Sequence, residues 1–202
     1  MNRKQIINIT QQVLLYGLVI VIAIYALFPF YWAFVTSFKS ENEMFKTATY
    51  LPQEPTLQNY EYVFRDDTFI NALQTSAFVS AATSLLALVA GSFAAYALGR
   101  LRFKGRVVLL YVVLSMTMFP AISILSGLYT IVRELGFFGT PLSLIITYPV
   151  FTLPFTVWVL TSFFRGLPEE IEQAAIVDGA TPFQTFRLIL LPLTAPALVT
   201  TG

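Results

Sequence analysis

The sequence predicts an all-α, polytopic transmembrane helical bundle, and three observations carry that prediction. Hydrophobic residues make up 56% of the chain and charged residues only 11%, whereas soluble domains carry roughly a quarter charged residues. Charges are absent from 5–38, 68–99, 107–132 and 135–164, each longer than the roughly 20 residues that cross a hydrocarbon core about 30 Å thick. A segment in lipid must satisfy its own backbone polar groups, so these stretches read as helices. Barrel strands would appear as alternating segments of about 10 residues, a pattern this sequence does not contain.

In chain order, span one is expected at about 13–38. Arg3 and Lys4 ahead of it imitate a signal peptide. The apolar run is too long for one and lacks a small-residue cleavage site, so an uncleaved span is expected. A segment at 39–67, with Pro52 and Pro55, reads as an ordered extracytoplasmic loop. Spans two, three and four follow at about 69–99, 107–132 and 141–164, and a polar stretch at 165–187 separates them from a fifth, starting at Leu188. The sequence stops at Gly202 inside that span. A single transmembrane domain over 1–202, cut short at its C-terminus, is therefore expected.

Charge distribution orients the spans. With the N-terminus inside, the inner segments hold Arg3, Lys4, Arg100, Arg102, Lys104, Arg106, Arg165 and Arg187. The outer segments hold Lys39, Lys46, Arg65 and Arg133, diluted by seven acidic residues from Glu41 to Glu134. The short 100–106 loop is the strongest anchor, because the positive-inside rule weighs Lys and Arg close to span ends.

Several function classes fall away. The chain has no Cys and no His, which removes disulfides, thiolate nucleophiles, imidazole bases and His or Cys metal sites. No catalytic residue and no metal ligand is assigned. A formal net charge of +1 without a basic block argues against nucleic acid. No ionisable side chain lies deep in a span, although self-energised carriers normally keep such groups there for function. Energy for any transport has to come from another subunit.

Within the spans, Thr83, Ala87, Gly91, Ala95 and Gly99 recur every four residues, a small-residue stripe that serves close helix packing. Pro120, Pro149, Pro154, Pro192 and Pro196 can each kink a helix. Tyr129, Tyr148, Phe151 and Thr152 are the candidate substrate-path residues. Aromatic faces stack on sugar rings and hydroxyls bond polyols, but aromatics in membranes also pack internally and Thr hydroxyls also bond their own helix.

The inner loop has sharp punctuation. Pro168 suits a first helical position, and Glu169, Glu170 and Glu172 sit at the positive end of the helix dipole. Gly179 suits a left-handed stop, and Thr181-Pro182-Phe183-Gln184 has the form of a capping box. Ile171, Ile176 and Val177 are apolar in a polar loop and need cover. The residues alone allow either a helix lying on lipid headgroups or one docked in a partner protein's cleft.

The spacing Gln173-Ala-Ala-x3-Gly179, nine residues, Ile189-x-Leu191-Pro192 resembles the EAA loop of ABC importer permeases. Phe30-Tyr-Trp, Thr36-Ser-Phe-Lys39, Pro55-Thr-Leu-Gln-Asn-Tyr60, Ala94-Ala-Tyr-Ala97, the 100–106 loop and Leu153-Pro154-Phe155 are similar to the carbohydrate-uptake branch of that family. Gln173 stands where the pattern has Glu, with Glu172 just before it, and Gly127 stands where many relatives have Pro.

The resemblance implies a type I importer permease fold with about six spans, of which four and part of a fifth are present. It implies a sugar importer's permease in a bacterial plasma membrane, paired with a second permease subunit, an ATPase dimer and an extracytoplasmic sugar-binding protein. This chain would hold no cofactor, with ATP and magnesium bound by the ATPase. Glu170, Glu172, Gln173, Ala174, Ala175, Asp178, Gly179 and Ala180 would form the coupling loop. Other solutes, such as amino acids or glycerol phosphate, remain alternatives. A phosphate would call for a basic residue in the path, and the spans offer none. A membrane anchor would have no need of the capped loop.

Overall fold

The computed structural model describes residues 3–45 and 49–202, with side chains from Thr10 onward. Lys46 and the side chains of Arg3 and Lys4 lie outside that description. The chain forms two compact units, Met1–Ala72 and Leu73–Gly202. The all-α prediction holds: among the described residues there is no strand.

In the first unit, α1 (Arg3–Ser37) is one continuous helix, and its Thr10–Ser37 part is long and apolar enough to cross a membrane. Residues 10–31 are all exposed, as expected of a helix that is hydrophobic all round and meets lipid or other protein instead of water. The 39–67 loop carries two short helices, α2 (Glu41–Met44) and α3 (Gln58–Arg65).

Polar contacts tie the described residues of this segment together. Lys39 is buried; its Nζ donates to the Thr49 carbonyl at 2.5 Å and stands 4.8 Å from the Trp32 ring centroid. A hydrogen bond and a ring face together compensate a cation taken out of water. Asn59 Nδ2 donates to the Ser37 and Lys39 carbonyls, and the Thr56 amide donates to Phe38. Opposite, Glu43 Oε1 accepts from the Gln53 amide and the Thr49 hydroxyl, both at 2.9 Å.

The Gln53 amide bond, helped by Thr49, holds the Glu43 carboxyl below its ordinary value of 4.5. A lowered folded pKa means that the loop's grip is complete above the ordinary value and is lost as pH falls through the lowered one. Protease cleavage within 49–53 in reconstituted vesicles should therefore rise only below about pH 4.5. Glu43→Gln should remove that acid dependence.

The second unit holds most of α4 (Asp67–Arg100), then α5 (Arg106–Met116), α6 (Ala121–Glu134), α7 (Pro141–Thr147) and α8 (Pro149–Gly166). It continues through α9 (Glu169–Val177), α10 (Pro182–Gln184), a π-helical turn (Thr185–Leu190), α11 (Leu191–Leu193) and α12 (Ala195–Thr201). By length and composition, α4 and the 141–166 pair can cross a membrane as α1 can.

The third span differs from expectation. It is not one helix over 107–132, because α5 and α6 meet at 90°. Pro120 takes the N-cap of α6 with ψ 117°, and the residue just before a proline is disfavoured in helical geometry. The fifth span is also broken: the π turn precedes Pro192, and the 182–193 segment meets α12 at 68° around Thr194. A proline leaves the carbonyl four residues earlier without a donor, and π turns and bends are how helices absorb that loss. Pro154, by contrast, sits inside α8 without ending it, as does Pro29 in α1.

The small-residue stripe is a packing seam. Thr83, Ala87, Gly91 and Ala95 are buried; a Cβ on Gly91 would lie 2.7 Å from Thr156 Cγ2, and one on Gly99 would lie 3.2 Å from Phe164 Cβ. Glycine at these points lets α4 close on α8. Beside the seam, Tyr96, Phe164 and Phe186 pack their rings together, with centroids 5.0 to 6.2 Å apart. They lie among the buried Ala95, Leu160, Leu190 and Ala197.

Candidate functional site

The loop between α8 and the fifth span folds as its punctuation predicts except at the start of α9, where Pro168 has ψ 136° and is the N-cap, leaving Glu169 as the first helical residue. Glu169, Glu170 and Glu172 occupy the first turn of α9. At its other end Gly179 has φ +83°. Its amide donates to the Ile176 carbonyl at 3.0 Å, and the Ala180 amide reaches back to Ala175 at 2.9 Å. These two bonds are the Schellman closure, which satisfies carbonyls that a helix end otherwise leaves bare. One residue on, the Thr181 hydroxyl accepts from the Gln184 amide while the Gln184 side chain accepts from the Thr181 amide, and Pro182 opens α10. The end of α9 and the start of α10 are thus set by local chemistry, so α9 stops as a separate short helix.

The faces of α9 differ. Ala175 is buried, and Ile171 and Glu172 are partly covered. Glu170, Gln173, Ala174, Ile176, Val177, Asp178 and Gly179 are exposed, with Val177 at 86% and Ile176 at 60%. The small side chain of Ala175 is therefore used within this chain, whereas Ala174 stays exposed. Glu172 also turns inward: its Oε1 accepts from the Tyr96 hydroxyl at 3.3 Å, and its Oε2 stands 3.5 Å from Arg100 Nε. Gln173 remains as the neutral amide on the exposed face, so Glu172 does not replace an acid there.

Between the end of α4 and α9 lies a polar pocket of about 520 Å³, edged by Arg100, Arg102, Arg106 and Arg165 opposite Glu169 and Glu172. Arg102 Nη2 pairs with Glu169 at 3.1 Å, with both side chains exposed. Arg165 Nη2 donates to the Leu98 carbonyl at 3.3 Å. In sequence these arginines signal orientation only. Their convergence on α9 is tertiary, and only the 67-residue separation of Arg102 and Glu169 is visible in the chain.

The path candidates are not all drawn together. Tyr148, Phe151 and Thr152 share one turn at the α7–α8 junction, where the Tyr148 carbonyl accepts from the Phe151 and Thr152 amides. Tyr129, on α6, packs edge-on against Phe138 with centroids 5.3 Å apart. The Thr152 hydroxyl bonds the Tyr148 carbonyl, and Thr147 and Thr156 likewise bond their own helix, the internal use that such hydroxyls commonly find.

Apolar helices long enough to span and a seam of small residues define a polytopic helical membrane protein, with the capped helix α9 following a span end. Residues 87–202 match the family model described as binding-protein-dependent transport system inner membrane component. The trehalose transport system permease protein SugB of Mycobacterium tuberculosis is 43% identical over 176 residues, which are 87% of this chain and 64% of that protein. The trehalose/maltose transport system permease protein MalG of Thermococcus litoralis is 37% identical over 96% of this chain and 70% of its own length. A bacterial ABC transporter involved in the import of the acidic polysaccharide alginate has a solved structure that superposes with a TM-score of 0.80 at 25% identity. That match covers 100% of this chain and 70% of the other. The chain belongs to the family of binding-protein-dependent transport system inner membrane components. It spans under two thirds of the length of SugB.

Proposed function

We propose that this chain is the permease subunit of an ATP-driven sugar importer, forming half of the path and coupling to the ATPase through α9. One observation carries the reading: a short helix, closed at Gly179 and followed by the Thr181 capping box, leaves Gln173, Ala174, Ile176 and Val177 exposed. An exposed apolar and small-residue face of this kind needs a partner. The relatives' named cargoes of trehalose and maltose favour a sugar as substrate. In this reading the N-terminus is cytoplasmic and a binding protein delivers sugar from outside. A second permease completes the path, and the chain itself performs no catalysis. Glu170, Gln173, Ala174, Asp178 and Gly179 meet the ATPase, while Glu172, Ala175 and Ala180 hold the helix in place. Tyr129, Tyr148, Phe151 and Thr152 stay candidates for the path.

The test is a crosslink. The chain contains no Cys, so Ala174→Cys introduces a single thiol on the exposed face, whereas position 175 is buried. In the full complex, a crosslink from position 174 to the ATPase groove that changes with ATP is the expected result. A thiol labelled by lipid-phase reagents and never crosslinked would mark a membrane-surface helix and overturn the reading.

A further inference from the structure

Resting on the coupling role proposed above, a second question is what carries a displacement of α9 into the spans. Its exposed face cannot, and the exposed Arg102–Glu169 pair is screened by solvent. One set of contacts is sheltered. The Tyr96 hydroxyl donates to one carboxylate oxygen of Glu172 at 3.3 Å, and Arg100 Nε stands 3.5 Å from the other as an ion pair without a hydrogen bond. Arg100 Nη2 also donates to the Pro168 carbonyl at 3.3 Å. The Arg100 side chain is only 5% exposed and that of Glu172 is 23% exposed.

Tyr96 and Arg100 are one helical turn apart on the last turns of α4, so they lie on one face. The Tyr96 ring is packed against Phe164 of α8 and Phe186 of the π turn. A push on Glu172 therefore reaches α4 at two points and, through the Tyr96 ring, reaches α8 and the start of the fifth span.

We infer that Tyr96 and Arg100 are positioning residues that clamp Glu172 and make α9 move as one body with α4. A carboxylate held by a sheltered guanidinium and a phenol resists separation, because parting them leaves charge uncompensated in poorly hydrated surroundings. Helix packing alone, through the small buried Ala175, holds α9 only weakly. The clamp also gives Glu172 a task distinct from that of Gln173 beside it: one grips the permease and the other faces the partner.

The experiment uses the full importer complex in proteoliposomes. A thiol at Leu85→Cys on α4 reports the motion of the spans as its maleimide labelling rate with and without ATP. In the parent protein the rate should change severalfold with ATP. In Glu172→Gln and in Tyr96→Phe, which removes a single oxygen, that ratio should fall close to one while ATP hydrolysis stays within about twofold. Arg102→Gln should behave like the parent. An ATP effect that survives both clamp substitutions overturns the inference, as does loss of hydrolysis in step with loss of assembled complex, which would mark a structural role alone. The Ala174→Cys crosslink separates the two proposals. With the crosslink present and the ATP effect surviving, only the clamp fails. With neither a crosslink nor an ATP effect in the parent, the coupling reading fails and takes the clamp with it.

Discussion

Gly179→Val is expected to bring ATP-driven uptake to background while the spans still insert and fold. No atom lies within 4 Å of a Cβ built at this glycine, so space is not the obstacle. The obstacle is the backbone, whose φ of +83° costs an L-residue roughly 1–2 kcal/mol and a β-branched one more. Relaxing φ to a negative value would break the Ile176–Gly179 and Ala175–Ala180 bonds and run α9 on toward Pro182. The exposed face would then point elsewhere. Because the cause is conformational, severity should follow tolerance of the left-handed region and not size: Asn mild, Ala intermediate, Val complete. Uptake into proteoliposomes across that series is the check, and normal uptake with valine would rule out a required left-handed turn.

The second large effect is expected at the α4–α8 seam. Gly91→Ala places a methyl carbon 2.7 Å from Thr156 Cγ2, on a buried β-branched side chain that cannot swing away. Overpacking of this kind costs typically about 1–3 kcal/mol, and Gly91→Leu should prevent the two helices from closing. Thr156→Ser removes the offending methyl, leaving Thr156 Cβ at 3.4 Å as the next neighbour. The double substitution Gly91→Ala/Thr156→Ser should therefore recover most of the loss. Gly17→Ala on α1, with nothing within 4 Å, is the neutral comparison. Thermal unfolding in detergent reads all of these, and a Gly91→Ala protein as stable as the parent would show that the seam is loose.

Both predictions join a feature visible in the chain to one that is not. The αL stop at Gly179 and the Thr181–Gln184 box could be foreseen, because they rest on the chemistry of neighbouring residues. The small-residue stripe could be seen every fourth residue, yet which side chain filled its groove could not. The breaks at Pro120 and Thr194 lie between these cases. Proline marks where a helix is weakened, but Pro154 and Pro29 are accommodated inside helices while Pro120 stands at a right angle. The difference lies in what surrounds each proline.

By itself the sequence determined the membrane class, the all-α fold, the family and the limits of α9, since each depends on local composition, spacing or capping. Only the tertiary structure decided that Glu172 and Ala175 turn inward and Gln173 and Ala174 outward, that four arginines gather beside α9, and that Lys39 is buried in its loop. The physical reason is that spans are apolar on every side, so no hydrophobic stripe announces the face that packs. Successive residues of a short helix point about 100° apart, and where the end of α4 lies settles which of them are covered and which stay exposed.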